Sequence, residues 1–391
     1  MQAPADPPAP PMLQWTEDGQ PRSAVWRSEA GLPPPARLML ADDTLPADTA
    51  WRLASEGTAL LWRGDFNNAR HLLQALARRA ERQPRRQDAR KGAAAPAPPT
   101  PAEAFHRHRM AQGQRAHTLG MLLIPFEPGH VIPLRRAPDV AAACTQARGE
   151  AAEPYVASLR ELLGLIGAYE WRKNGVEVAA LGARIHPHYG VFSPVRGEYV
   201  DLVAQAPLPT GAAELAFDIG TGTGVLAAVL ARRGVARVVA TDADPRALAC
   251  AQDNLARLKL AQRVSVQRAD LFPEGRAPLV LCNPPWVPAR PSSPLEHAVY
   301  DSDSRMLRGF LAGLAAHLAP GGEGWLILSD LAEHLGLRTR EQLLGWIADG
   351  GLKVIGRHDI RPRHPKAGDA ADPLHAARSK EVTSLWRLGA A

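Results

Sequence analysis

From residue 214 onward the chain alternates short apolar runs with amphipathic ones: strand "ELAFDIG", helix "GVLAAVLARRG", strand "ARVVATD", helix "DPRALACAQDNLARLK", then strands "RVSVQRAD" and "PLVLCN". Helix "SRMLRGFLAGLAAHLA", strand "GWLILSD", helix "REQLLGWIADGG" and strands "LKVIGRHDI" and "EVTSLWRL" complete the series. Parallel strands need long crossovers, and the crossover helices cover the sheet, so this alternation predicts a doubly wound α/β sheet over residues 214–391. Ligands of such sheets bind beyond the carboxyl ends of the strands, near the point where strand order reverses. The residues that end each strand therefore carry the functional information.

The 391 residues leave room for a second region before this sheet, and no apolar run approaches the roughly 18 residues a membrane helix needs. The start, "MQAPADPPAPPMLQW", has no basic segment followed by an apolar one, so a cytoplasmic protein without membrane association is expected. Residues 1–45 are Pro/Ala-rich and expected to be extended or disordered. Residues 46–150 are expected to form a smaller α+β substrate-recognition region. In it a helix from Asp65 places Ala69, Leu72, Leu73, Leu76 and Ala80 on one face, and "TLGMLLIPF" and "HVIPLRR" read as strands. "KGAAAPAPPTP" at 91–101 reads as a linker. Residues 151–213 then supply a helix over "EPYVASLRELLGLIGAYE" and a hairpin turning at Asn174-Gly175. Cys144, Cys250 and Cys282 have neither disulfide nor zinc spacing, and His186, His188, His358, His364 and His375 read as loop residues, so no metal is expected.

Four strand ends stand out. In "FDIGTGTG", Gly220, Gly222 and Gly224 allow a tight turn and bare backbone at a helix N-terminus. The spacing is G-x-G-x-G, with Val225 where a dinucleotide fold would have glycine, and Asp218 favours a cationic ligand over a diphosphate. Asp242 ends the next strand, where a carboxylate can accept from both hydroxyls of a ribose; Asp244-Pro245 suits a helix cap. In "RADLF", Asp270 can accept from an adenine amino group or cap a turn, and Leu271 or Phe272 can flank the ring. The fourth end is "NPPW". A planar amine is alkylated only when its delocalised lone pair is freed; the side-chain carbonyl of Asn283 and the backbone carbonyl of Pro284 can take its two N–H groups. Pro284 and Pro285 hold both acceptors still, and Trp286 offers a stacking face.

Together "FDIGTGTG", "ATDADP", "RADLF" and "NPPW", in this order and spacing, resemble the class I S-adenosylmethionine-dependent methyltransferases of the amino-directed (N/D)-P-P-(Y/F/W) group. The nearest resemblance is to small-domain enzymes such as release-factor glutamine methylases and ribosomal RNA guanine or tRNA adenine N-methylases. It covers roughly residues 186–388 and implies a Rossmann-like sheet with a late antiparallel strand, supplied by "EVTSLWRL". It also implies that "GVFSPVRGEYVDLV" at 190–203 folds over the cofactor. The implied cofactor is S-adenosyl-L-methionine. Asp218 and the three glycines would surround its methionine part, Asp242 its ribose, and Asp270 and Leu271 its adenine, with Asn283, Pro284, Pro285 and Trp286 at the target amine. Trp286 stands where Tyr or Phe is commoner.

The expected substrate is RNA or a ribosomal particle, because residues 70–91 hold eight Lys/Arg against Glu81 and Asp88 in a chain of net charge +6. Arg78, Arg79 and Arg82 are the candidate phosphate contacts. A protein glutamine is the alternative target, and a catalytically silent binding module a further one; retention of Asp218, Asp242 and Asn283 together argues against silence.

Overall fold

The computed structural model describes residues 10–90, 99–195, 197–291, 296, 298–362 and 369–391. Its first elements are β1 (Met12–Glu17), β2 (Gln20–Trp26), β3 (Arg37–Ala41), α1 (Ala47–Ser55), β4 (Thr58–Trp62), α2 (Phe66–Arg90), α3 (Pro101–Gly120), β5 (Leu122–Phe126), α4 (Ala141–Arg148), β6 (Tyr155–Ser158) and α5 (Leu159–Asn174). There follow β7 (Val176–Val178), β8 (Ala183–Ile185), α6 (Glu198–Gln205), β9 (Leu215–Ile219), α7 (Val225–Arg232), β10 (Arg237–Asp242), α8 (Pro245–Arg257), β11 (Val264–Arg268) and β12 (Ala277–Cys282). The last are α9 (Arg305–His317), β13 (Leu318–Ser329), α10 (Leu331–His334), α11 (Arg340–Asp349), β14 (Leu352–Ile360), α12 (His375–Arg378) and β15 (Thr383–Ala390). Two compact units result: Met1–Pro98 with Arg109–Tyr169, and Pro99–His108 with Glu170–Ala391. They do not follow the boundaries at 150 and 213 expected from composition.

The second unit is built on a seven-stranded sheet of order β11-β10-β9-β12-β13-β15-β14, in which β15 runs antiparallel to both its neighbours. Strand order reverses at β9, which pairs in parallel with β10 on one side and β12 on the other. Ala216, Val238, Ala240 and Val264 on one face pack with α7, all of which is buried except Arg232. On the other face Phe217, Val280 and Cys282 meet Leu307, Phe310 and Leu311 of α9. Each such large apolar side chain contributes about 1.5–3 kcal/mol on burial. Asp244 caps α8 as expected, accepting from the Arg246 amide at 2.8 Å with Pro245 following, and Thr339 and Gln342 close a capping box on α11. At the helix after the NPPW loop, Asp301 accepts from the amides of Met306 (2.9 Å) and Leu307 (3.2 Å) in the first turn of α9.

The first unit departs further from the sequence reading. Its six-stranded sheet has order β1-β2-β6-β5-β4-β3. Residues 10–45 are not disordered: β1 and β2 form a hairpin whose central residues, Asp18 and Gly19, both have positive φ (51° and 72°), as a type I′ turn requires. Asp65 does start α2, accepting from the Asn67 amide at 2.9 Å, with Ala69, Leu72, Leu73 and Leu76 buried and Ala80 only half-buried. "HVIPLRR" is loop rather than strand, and the helix read from Glu153 is β6 followed by α5. Asn174-Gly175 does not turn a hairpin. Gly175 (φ 69°) ends α5, its amide bonding the Trp171 carbonyl at 2.8 Å, and the small β7–β8 hairpin comes after it. Residues 91–98 of the expected linker lie outside the described residues, as do residues 1–9 of the N-terminus.

Gly224 at the start of α7 has φ +79°, and a Cβ there would stand 3.2 Å from the Ala251 Cα and 3.3 Å from its Cβ on α8. Gly224→Ala should therefore cost about 1–3 kcal/mol of stability, from left-handed backbone strain and crowding of the two helices, read as a lower denaturant midpoint with an unchanged m value.

Candidate active site

The carboxyl ends of β9, β10, β11 and β12 open into a cavity of about 690 Å³, within the range of roughly 300–1,000 Å³ usual for small-molecule sites. Gly220, Thr221, Gly222 and Thr223 form one wall, Asp242 and Asp244 the next, and Ala269, Asp270 and Leu271 the third. Asn283, Pro284, Pro285 and Trp286 lie opposite, and Gly190, Val191, Phe192 and Tyr199 close another side. Sequence reasoning thus brings most of its candidates to one place. Two are displaced from the cavity wall. Gly224 serves the helix junction, and Asp218 lies beneath the loop, 1% exposed.

Asp218 organises the loop from below. One of its oxygens, Oδ2, accepts both the Thr221 hydroxyl at 2.6 Å and the Ala227 amide at 3.1 Å, tying the glycine turn to the first turn of α7. Burial pushes its carboxyl up to about 6, against the lowering effect of these two bonds. Above the loop, Asp242 is fixed by two backbone amides, Gly222 to Oδ2 and Asp244 to Oδ1, each at 3.0 Å. Its carboxyl is also raised by burial. A Cβ built on Gly222 (φ +55°) meets nothing within 4 Å, so bare backbone faces open space beside a carboxylate. Such a cradle suits a ligand with hydroxyls to donate and a chain to lay along the turn.

Asp270 and Leu271 take separate parts. Asp270 is exposed and paired with Arg305 at 2.8 Å, whereas Leu271 is held at φ 80° by its carbonyl accepting the Thr241 hydroxyl at 2.5 Å. A non-glycine residue at positive φ costs on the order of 1–2 kcal/mol, so the β10 hydroxyl stabilises a conformation the chain would not adopt alone. Phe272 turns away from this cavity and stacks on Phe310 and His317.

At the end of β12 the Trp286 indole N–H donates to Asn283 Oδ1 at 2.9 Å. That bond orients the amide and leaves Oδ1 a second lone pair. Arg305 and Met306, from the stretch "SDSRMLRGFL" after the NPPW loop, also line the cavity, and sequence reasoning missed Phe105, Tyr300 and Arg378 there. Phe105 is buried among Val287, Leu335 and Leu374, with its ring 6.4 Å from that of Tyr300. Nothing local marks these residues, since each is an ordinary helix or loop residue placed by tertiary packing.

The candidate phosphate contacts lie in the first unit. Arg79 is engaged by Asp48 and the Ala75 carbonyl, Arg78 is exposed, and the Arg82 side chain falls outside the described residues. No helix among the described residues is long and apolar enough to cross a membrane.

The raised Asp218 carboxyl has a consequence for stability. Between pH of about 4 and 6 the folded chain holds a proton there that the unfolded chain has released, so stability falls as pH rises through this window, by up to about 3 kcal/mol above it. Because one oxygen takes both bonds, Asp218→Asn keeps them and removes the titration. Its melting temperature should exceed that of the parent at pH 7.5 and approach it at pH 4, in parallel melts across that range.

The family described as "Methyltransferase small domain" matches residues 182–340. The tRNA1(Val) (adenine(37)-N6)-methyltransferase of Shewanella loihica is 31% identical over 185 residues, 44% of this chain and 72% of that protein. The release factor glutamine methyltransferase of Cereibacter sphaeroides is 40% identical over 112 residues, 28% of this chain and 36% of the relative. The ribosomal protein L11 methyltransferase of Pelotomaculum thermopropionicum is 48% identical over 69 residues, 17% of this chain and 22% of the relative. The chain thus spans well under half of the latter two proteins. The match in sequence falls on the segment that builds the glycine turn, the Asp242 strand end and the Asn-Pro-Pro-Trp loop, and the chain belongs to the small-domain family of class I S-adenosylmethionine-dependent methyltransferases.

Proposed function

We propose that the chain transfers a methyl group from S-adenosylmethionine to an exocyclic amino nitrogen of an RNA base. The observation that carries this reading is the Asn283 carbonyl, fixed by the Trp286 indole at the end of β12 and opening on the same cavity as the glycine turn and Asp242. The cofactor, when bound, supplies a methyl group on a sulfonium centre. Asp242, with both oxygens already oriented by backbone amides, has lone pairs left to accept the ribose hydroxyls, and Leu271 flanks the adenine. The bare backbone at Gly222 takes the amino-acid part. Asn283 Oδ1 and the Pro284 carbonyl accept the two N–H groups of the target, drawing its nitrogen out of conjugation so that the lone pair points at the methyl carbon. The proton released on transfer passes to solvent. A base stacked on Trp286 presents its amine in the plane where these acceptors wait.

RNA is the first choice because the net charge is +6 and because the relative covered over most of its length carries a tRNA adenine in its name. A protein glutamine is the second reading, favoured by the release-factor relative. A silent binding module has no use for an oriented acceptor at Asn283.

Asp242→Ala should weaken cofactor binding by about tenfold or more, the worth of charge-assisted hydrogen bonds, measured by calorimetry. Asn283→Ala should leave that affinity nearly unchanged and abolish label transfer from methyl-labelled cofactor to RNA taken from cells lacking the gene. Substantial turnover in the folded Asn283 variant would sink the proposed role, and label appearing on release factor instead of RNA would select the second reading. Trp286→Phe keeps a stacking face but loses the indole donor. It should lower kcat about tenfold with little change in KM, the cost of one lost orienting hydrogen bond.

A further inference from the structure

The sheet of the second unit has one bare quarter. β9 to β10 and β10 to β11 are joined through α7 and α8, which pack on the face bearing Ala216, Val238 and Val264. The link from β11 to β12, residues 269–276, contains no helix. On the opposite face α9 reaches Phe217 and Val239, but no residue of β11 belongs to that cluster among the described residues. There Ser265 pairs with Val239 and Gln267 with Thr241 across the ladder, and both β11 side chains are exposed. Strands of a parallel sheet are normally apolar on both faces because helices cover both. Here the sequence itself is polar where the covering helix is missing, so the face is built to meet solvent or a polar partner.

This face forms a shallow recess of about 580 Å³. Arg237, Arg268 and Arg276 line it, and Glu274 is the only acid that does. All three arginines are exposed, and none has an ion pair or side-chain hydrogen bond among the described residues. Other arginines are engaged, Arg387 by both oxygens of Glu323, Arg340 by Glu333 and Arg233 by the Val203 and Ala206 carbonyls, whereas Arg70, Arg78 and Arg232 are exposed and likewise without an ion pair among the described residues. Ala269 lines both this recess and the cofactor cavity, so the arginines begin one residue from the cavity wall formed by Ala269, Asp270 and Leu271.

We propose that this recess binds the phosphodiester backbone of the RNA substrate and holds the strand beside the cavity while the base enters it. The proposal rests on the RNA reading given above and adds the surface that would recognise it. Three guanidiniums without ion pairs among the described residues, beside the exposed Ser265 and Gln267, give the fork geometry and charge that phosphate oxygens accept. The assignment also moves the main electrostatic contact from Arg78 and Arg79 to the unit that holds the cavity.

The test replaces all three together, Arg237→Gln, Arg268→Gln and Arg276→Gln, with Arg78→Gln/Arg79→Gln as a second variant. Circular dichroism and cofactor calorimetry report folding, and the single Arg276→Gln change serves if the triple variant fails to fold. Binding to protein-free total ribosomal RNA is measured across a potassium chloride series. The triple variant should bind RNA about tenfold or more weakly at moderate salt, with the log-log salt slope flattened by about 2, near 0.7 for each lost contact. The Arg78/Arg79 variant should keep the parent slope. Equal slopes for parent and triple variant, or no RNA binding by the parent, would overturn the proposal, as would loss of affinity for polyglutamate with affinity for RNA intact. Failure of the parent to bind S-adenosylmethionine would instead count against the methyltransferase reading, and the RNA salt series would still decide the recess.

Discussion

A single buried oxygen, Oδ2 of Asp218, accepts from the Thr221 hydroxyl and the Ala227 amide, and the shape of the cofactor side of the cavity follows from it. The carboxylate lies near the end of β9, the strand where order reverses, so it sits under a loop flanked by strand ends on both sides. Holding Thr221 sets the turn, and the turn presents the Gly222 amide to Asp242 on the neighbouring strand. Asp242 is thereby oriented by backbone amides, and Asp244, two residues on, both donates to it and caps α8. The burial that raises the Asp218 carboxyl is a local cost of this arrangement, and functional sites are where such costs are tolerated.

On the substrate side the fixed element is a loop rather than a strand. Pro284 and Pro285 remove backbone freedom, and the Trp286 to Asn283 bond removes side-chain freedom. A tyrosine or phenylalanine at position 286 lacks the indole N–H, so this chain has coupled stacking and acceptor orientation in one residue. Leu271 and Asp301 show the same economy, one held at positive φ by a neighbouring hydroxyl and the other accepting from the first turn of the helix that carries Met306 to the cavity.

Much of the second unit was legible because period and punctuation agree there. Strands such as "ELAFDIG" and "PLVLCN" end at glycine or proline, although β13 begins at Leu318 and runs through Pro320-Gly321-Gly322 ahead of "GWLILSD", and the strand ends carry the site. The first unit was less legible for a specific reason. Asp18-Gly19 and Asn174-Gly175 both tolerate positive φ, yet one turns a hairpin and the other terminates a helix. The dipeptide announces the backbone conformation but not its use, which is decided by the flanking pattern: "MLQWTE" before the first, and the helical run from Leu159 before the second. Proline-rich composition likewise obscured β1 to β3, because prolines at strand ends and in turns raise the count without interrupting the ladders. Residues such as Phe105 and Tyr300 had no local signature, since only the fold brings them to the cavity.

Phe105 has a bearing on how such a chain can be assembled from parts. It lines the cavity, yet it lies some 77 residues before the segment that matches the family begins, on the stretch Pro99–His108 that clusters with the second unit. Modular exchange of the family segment alone, by recombination or by gene fusion, would transplant the cofactor side and the Asn-Pro-Pro-Trp loop but leave behind one aromatic wall of the pocket. The portable module and the complete pocket are therefore not the same stretch of gene, and lineages that trade the one inherit a gap that their own upstream sequence must fill.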